Sequence, residues 1–263
     1  MGLDLFVVSL IGLVINLYII LLFVRMFLVE SERYDALLGM VFRATDPVVA
    51  PLGNALRSHR VDLAPVVAIV VLLLLKGMIW GSIPRTLQSF ADTLFRVYVF
   101  IIIIIAGYRE YYTNPIANFG QRMVNPVRAI AANFSRSLTT VNILSVVILV
   151  ILHSIITLLL DSMTGVMGTI SVKAAVLGSL SLVIDLTWYF VLIIIVNAVL
   201  SWVSPDPLNP VVQLLALVSA PIIEPIRRVI PPLGGAIDLS PIIAIFLLNI
   251  ANSVGHRVLA FFA

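Results

Sequence analysis

Two ionisable residues lie deep within apolar stretches of the sequence, and both types can bind and release protons. His153 lies in the run around residues 141–160, and Asp185 lies in the run around residues 179–203. A charged aspartate at such depth costs about 2.5–3.5 kcal/mol on insertion scales, so it needs a partner. Counting from the intervening turn places both residues at similar depth. We predict a His153–Asp185 pair that is either a structural hydrogen bond or a proton-linked site.

Two further acids stand in a repeated Asp-Leu-small-Pro motif, at Asp62 and Asp238. Aspartate is a good helix N-cap and proline is tolerated in the first turn of a helix, so we predict that both carboxylates cap helices. Asn142 takes the same place in a degenerate third copy of the motif, and asparagine can also cap. The alternative is that Asp62 and Asp238 bind a cation at the mouth of a membrane path.

The remaining chemistry-bearing residues form no catalytic or metal-binding pattern. The chain has no cysteine, and its three histidines are far apart in the sequence. We find neither a nucleophile motif nor a nucleotide-binding motif. We therefore predict a protein that is not an enzyme and has no cofactor and no resident metal.

The elements that must position these residues are transmembrane helices. The chain of 263 residues is 61% apolar and 11% charged, with a mean hydropathy of +1.16, whereas soluble domains have about 25% charged residues. A span needs about 20 mostly apolar residues. We predict an all-α polytopic membrane protein with six spans, and we expect residues 163–178 to lie at the interface or to re-enter the membrane. The predicted spans are 4–28, 62–80, 88–108, 141–160, 179–203 and 239–259.

An internal repeat organises these spans into one membrane domain. The predicted unit is helix, amphipathic loop, helix, and it occurs at about 4–80, in degenerate form at about 88–160, and at about 179–259. Each unit holds two spans, so the three units are expected to share one orientation, as in parallel repeats. The matched prolines of the first and last copies are Pro47 with Pro221, Pro51 with Pro225, and Pro65 with Pro241.

The Pro-x-x-x-Pro stretches predict interfacial amphipathic hairpins in the bilayer surface, in which the first proline begins a short helix and the second bends it. The alternative is a gating or partner-docking loop. The basic residues beside them are expected to bind anionic lipid headgroups or to dock a partner; they are Arg57, Arg128, Arg227 and Arg228. A net charge of only +3 favours lipid headgroups over nucleic acid as the partner. Other membrane proteins and self-association are the further partners considered.

The basic residues also predict an orientation. Of the 16 lysines and arginines, the repeat loops hold 11 and the opposite side holds five, by the predicted spans. The positive-inside rule then places the repeat loops in the cytoplasm and both termini outside.

The C-terminal copy, residues 197–250, resembles the repeat of the YggT/YlmG family of bacterial and plastid membrane proteins. The first copy carries part of the same pattern in Asp46-Pro47, Pro51 and Asp62-Leu63 with Pro65. The matching residues of the C-terminal copy are Ser201-Trp202, Asn209-Pro210, Pro221, Pro225, Arg227-Arg228, Pro231-Pro232, Gly235 and Asp238-Leu239-Ser240-Pro241.

The resemblance implies a location in the bacterial cytoplasmic membrane and no established catalytic residues. It implies a role in tolerance of osmotic stress through ion homeostasis, or in envelope and cell-division processes. Plastid relatives resemble assembly factors. Two function classes therefore remain open: a non-enzymatic protein that supports osmotic-stress tolerance and ion homeostasis, and a membrane scaffold or assembly factor for other complexes.

Overall fold

A computed structural model describes residues 2–56, 63–107, 114–163, 171–203, 206, 208–231 and 238–263. Across these ranges the regular structure is helical, with no strand. Ten α-helices and one short 3-10 helix (Glu30–Tyr34) are present there. The α-helices are α1 (Gly2–Arg25), α2 (Leu38–Leu56), α3 (Ala64–Ile79), α4 (Ile83–Gly107), α5 (Pro115–Ala132), α6 (Leu138–Met163), α7 (Val172–Asp185), α8 (Thr187–Val203), α9 (Pro210–Val229) and α10 (Ser240–Phe262).

The protein is an all-α polytopic membrane protein. In the described part of the chain, five stretches are long and apolar enough to cross a membrane, and two shorter apolar helices, Leu10–Arg25 and Ala64–Ile79, accompany them. The five stretches are Ile83–Ala106, Leu138–Met163, Val172–Val203, Pro210–Val229 and Ser240–Phe262. Four of them coincide with predicted spans, and the two shorter helices fall on the predicted spans 4–28 and 62–80.

The predicted amphipathic loops are longer helices than the proline pattern indicates. Pro47 lies inside α2 and Pro221 lies inside α9, so neither proline begins its helix as we predicted. The helix α9 instead begins at Pro210, where the side chain of Asn209 accepts the Val211 N–H at 2.9 Å. A capped start and a proline in the first turn favour helix formation well before the internal prolines.

The first and last copies place matched residues in matched environments. The hydroxyls of Thr45 and Ser219, each two residues before the first internal proline, donate to the carbonyl four residues back at 2.7 Å and 2.8 Å. Matched positions are also buried in both copies: Val49 with Ile223, Ala64 with Ser240, and Ala68 with Ala244.

The chain divides into two compact units, Met1–Ser89 and Phe90–Ala263. In the first unit, α1, α2 and α3 pack on one another. The guanidinium of Arg25 lies 3.6 Å from the centre of the Phe42 ring and 3.8 Å from the carboxylate of Asp46. Lys76 donates to the Asn16 side chain at 2.7 Å, which joins α3 to α1.

In the second unit, residues that the structure describes form two apolar cores. The larger one joins α4, α5 and α6 with the junction between α7 and α8, and the smaller one joins Ile194, Ile223 and Ala244 of α8, α9 and α10. The buried members of the larger core are Phe95, Val99, Ile102, Ile105, Val124, Leu149 and Leu186.

The stretch 172–203 is one long apolar segment with a break at Leu186, which separates α7 from α8. At this break the Ile184 carbonyl accepts hydrogen bonds from two side chains, the Thr187 hydroxyl at 2.8 Å and the Asn252 amide at 3.3 Å. Side chains that enter the hydrogen-bond ladder bend helices. Residues 172–178, which we assigned to an interfacial or re-entrant segment, belong to α7, and residues 164–170 lie outside the described residues.

Candidate functional site

The predicted pairing of His153 with Asp185 is wrong, because the structure gives each residue another partner. His153 Nε2 lies 3.0 Å from Asp92 Oδ1, and Asp185 Oδ1 lies 2.9 Å from His256 Nε2. The depth of a residue in a span can be counted from the sequence, but the direction in which its side chain points depends on the rotation of the helix. Among the described residues, two histidine–aspartate pairs therefore exist where one was predicted.

The pair on His153 is part of a buried hydrogen-bonded cluster. His153 Nδ1 lies 2.8 Å from Ser179 Oγ, and Ser179 Oγ lies 3.0 Å from Ser154 Oγ. We call Asp92, His153, Ser154 and Ser179 the histidine cluster. His153 is 5% exposed, and both serines are buried. The cluster thus links α4, α6 and α7 through polar groups inside the second unit.

The apolar periodicity of α4 positions Asp92. Phe95, Val99 and Ile102 follow it at intervals of three or four residues and are buried, so they share one face of the helix with it. The Phe95 ring stacks on the imidazole of His153, with 4.5 Å between centroids and 30° between planes. This contact and the two nitrogen contacts fix the orientation of the imidazole.

Sequence reasoning missed Asp92 as the partner of His153. The signal was present, since Asp92 lies in the predicted span 88–108 and an acid within a span needs a partner. Ser154 and Ser179 carried no comparable signal, because a serine within a helix can satisfy its hydroxyl on its own backbone.

The second pair is less buried and differs in its surroundings. The side chains of Asp185 and His256 are 36% and 39% exposed. Asn252, one turn before His256 on α10, also donates to the Thr187 hydroxyl at 2.9 Å. This pair therefore holds α10 against the break between α7 and α8.

Asp238 behaves as the predicted cap, with one shift in position. Its Oδ1 accepts the N–H of Ser240, the first residue of α10, at 2.9 Å, while Leu239 is the flanking residue of the helix. Its Oδ2 accepts from Arg227 Nε at 3.1 Å. Burial raises the pKa of the Asp238 carboxyl. The hydrogen bonds from Ser240 and the Arg227 guanidinium lower this pKa by a larger amount, so the pKa lies below its ordinary value.

The predicted cap at Asn142 is wrong, because α6 begins four residues earlier, at Leu138. Asn142 is buried inside that helix, and its Oδ1 has no hydrogen-bond partner. Asp62, the third member of this predicted set, lies outside the described residues.

The four arginines that we expected to contact lipid or a partner have different surroundings. Arg227 binds Asp238, and Arg228 lies 3.9 Å from Glu224 with its side chain 82% exposed. The Arg128 Nε is buried without a hydrogen-bond partner. Arg57 lies outside the described residues. Of the three described arginines, Arg228 has the surroundings best suited to an anionic headgroup.

The prolines that follow the capping motif lie where we predicted. Pro65 is in the first turn of α3 and Pro241 is in the first turn of α10. Pro51 and Pro225 lie inside α2 and α9, each four residues after the first internal proline.

In the described ranges, no group of three or more histidine, cysteine, aspartate or glutamate side chains lies close enough to hold a metal ion. The ionisable contacts there include the two histidine–aspartate pairs and several arginine–carboxylate contacts, among them those of Arg33 with Glu30 and Asp46 at 3.2 Å and 3.1 Å. The chemistry that these groups offer is the binding and release of protons.

The first and last parts of the chain are similar to a known protein family. The model of the CCB3/YggT family matches residues 5–83 and 174–259, which together are well over half of the chain. The chain belongs to the CCB3/YggT family. The two matched stretches correspond to the first and last predicted copies of the repeat. The CCB3/YggT match leaves the histidine cluster divided, with Ser179 inside it and Asp92, His153 and Ser154 between the stretches.

Relatives of this YggT-family chain are uncharacterised bacterial proteins. A Vibrio alginolyticus protein is 28% identical over 64% of this chain and 92% of its own length. The YggT protein of Escherichia coli K12 is 27% identical over 64% and 88%. A Haemophilus influenzae protein is 31% identical over 58% and 82%. No solved structure matches the chain.

Proposed function

We propose that this YggT-family chain is a non-enzymatic protein of the bacterial cytoplasmic membrane that supports osmotic-stress tolerance by handling ions. The observation that carries the proposal is the contact between His153 and Asp92, 3.0 Å apart, on two helices long and apolar enough to span a membrane. Ionisable residues inside spans are costly, and they mark ion paths and proton relays.

A comparison within the second unit supports an ionic role over simple helix adhesion. The helices α8 and α9 are joined by a neutral bond, in which the Asn197 amide donates to the Ser219 hydroxyl at 2.9 Å. Neutral bonds of this kind hold membrane helices together. The helices α4 and α6 are joined instead by two ionisable groups. Adhesion can be supplied by neutral groups, whereas proton or cation handling requires ionisable ones, and the pair on His153 is the more deeply buried of the two histidine–aspartate pairs.

The test is ion flux into proteoliposomes that hold the purified full-length chain, under separate gradients of potassium, sodium and protons. We expect flux by the wild type and its loss in His153→Gln and Asp92→Asn. His256→Gln is the matched control, since it breaks the other histidine–aspartate contact, and we expect it to keep the flux.

Two outcomes would contradict the proposal. Absence of wild-type flux under every gradient would favour the scaffold or assembly role, and chemical crosslinking would then identify partners. Equal flux in the wild type and in both cluster variants would remove the histidine cluster from the path.

A further inference from the structure

We infer that the histidine cluster is a reversible proton-binding site, so that the ion handled by this chain is the proton. The inference deepens the proposed function and rests on it for its biological use. The observation behind it is that the cluster can hold either of two proton counts with every hydrogen bond satisfied.

The state with fewer protons pairs a neutral imidazole with a carboxylate. Nε2–H of His153 donates to Asp92 Oδ1 across 3.0 Å. Nδ1 then carries a lone pair, and the Ser179 hydroxyl donates to it across 2.8 Å. The Ser154 hydroxyl donates in turn to Ser179 Oγ across 3.0 Å. The pair carries one negative charge.

The state with one more proton pairs an imidazolium with the same carboxylate. Nδ1–H now donates to Ser179 Oγ, because both nitrogens of a charged histidine are donors. The Ser179 hydroxyl turns to the Ala175 carbonyl at 2.9 Å, and the Ser154 hydroxyl turns to the Val150 carbonyl at 2.7 Å. The added proton comes from water and remains on the pair, which becomes neutral overall.

The change between the two states needs only the rotation of two hydroxyl hydrogens. Each serine has a backbone carbonyl as a second acceptor, so no buried group is left without a partner in either state. An unsatisfied buried group would cost about 1–3 kcal/mol and would oppose one of the states. The added proton is held by the His153–Asp92 contact as a unit, because the carboxylate balances the charge of the imidazolium.

Asp92 is the less buried end of the cluster, with its side chain 27% exposed against 5% for His153. Of the two paired groups, the Asp92 carboxylate is therefore the one that a proton from outside the cluster would reach first. Among the residues that the structure describes, Asp92 is the titratable group that bonds to the imidazole. The other titratable or charged residues on α4 to α7 are Arg85, Arg96, Tyr98, Arg122, Arg128, Asp161, Lys173 and Asp185.

The test is nitrogen-15 NMR of the histidine-labelled full chain in lipid nanodiscs, across the range of about pH 5 to 8 in which histidines titrate. The chain has three histidines, so His153→Gln assigns the His153 signal by difference. We expect His153 to change from neutral to doubly protonated as the pH falls. A His153 signal that keeps one protonation state throughout would overturn the inference.

Two variants test the parts of the cluster. In Asp92→Asn, we expect the ratio of protonated to neutral His153 to fall about tenfold or more at a given pH, because the compensating charge is lost. In Ser179→Ala, we expect the same direction, because both states lose the bond at Nδ1 and the bond donated by the charged imidazolium is the stronger of the two. The His256 signal in the same spectra is the internal control and should keep its wild-type behaviour. An unchanged ratio in both variants would overturn the assignment.

The NMR measurements report the protonation of His153 whether or not the chain transports ions, so they can fail independently of the flux experiment. A titrating His153 in a chain without flux would contradict the proposed function and leave the proton site intact. Flux in a chain whose His153 keeps one protonation state would support the proposed function and overturn the proton site.

Discussion

At the scale of the residue, the contact between Asp238 and Arg227 couples the start of α10 to the end of α9. The carboxylate accepts from the Ser240 N–H at 2.9 Å and from Arg227 Nε at 3.1 Å. Because the folded-state pKa of Asp238 is lowered, its contribution to stability is full above the unfolded pKa. That contribution is lost as the pH falls through the folded pKa.

We therefore predict that Asp238→Asn lowers the free energy of unfolding by about 0.5–1 kcal/mol near neutral pH, since the amide keeps the cap and loses the charge. The variant should also lose less stability than the wild type between about pH 5 and pH 2. Apparent melting temperatures in detergent across this range are the measurement. Arg228→Gln is the control, because Arg228 is 82% exposed and its loss should leave the curve unchanged. Parallel acid curves for Asp238→Asn and the wild type would refute the ion pair.

The same scale shows which site residues the sequence can predict. The cap at Asp238 depends on residues two positions away, so the local motif is sufficient. The partner of His153 depends on how α4, α6 and α7 rotate about their axes, and the depth of a residue in its span does not fix that rotation. The predicted cap at Asn142 was wrong for a different reason. A residue at a matched position in a degenerate repeat need not lie at a matched helix start.

At the scale of the element, hydropathy located four of the five stretches that are long and apolar enough to cross a membrane, and it missed the fifth, α9. The lengths of the proline-containing helices were underestimated. Two internal prolines suggested a short, broken segment. The helices α2 and α9 continue because their first turns begin well before the prolines. Each helix also buries an apolar residue that lies between its two prolines, Val49 in α2 and Ile223 in α9. Tertiary burial of an apolar face stabilises a helix more than local propensity does.

The helix α9 is also long enough to cross a membrane, yet we predict that it lies along the cytoplasmic surface. Its last turns carry Glu224, Arg227 and Arg228, which favour the headgroup region. Single cysteines at Leu208 and Val229, both 79% exposed, should react with a membrane-impermeant maleimide from the same side. Val172 and Val203 at the ends of the α7–α8 stretch are the control pair and should react from opposite sides. Labelling of Leu208→Cys and Val229→Cys from opposite sides would make α9 a span.

At the scale of the whole molecule, the distribution of basic residues predicts the orientation. Five of the eleven arginines assigned to the repeat loops lie on α2, α5 and α9, each of which has a proline inside the helix. They are Arg43, Arg122, Arg128, Arg227 and Arg228. A surface position for these helices would place the exposed members, Arg43, Arg227 and Arg228, beside anionic cytoplasmic headgroups, where each is worth about 1 kcal/mol. Placing them on the outer face would forfeit that stabilisation, so the helices and the charges favour the same orientation.

The orientation can be tested because the chain has no cysteine of its own. We predict that a cysteine at Ser58, in the first repeat loop, reacts only after the membrane is opened, whereas a cysteine at Ser171, before α7, reacts in intact cells. The unsubstituted chain is the control and should not react. Reaction of both positions from one side would break the alternation of α3, α4 and α6. Reaction of Ser58→Cys alone in intact cells would invert the orientation, and it would place the basic helices on the outer face against the positive-inside rule.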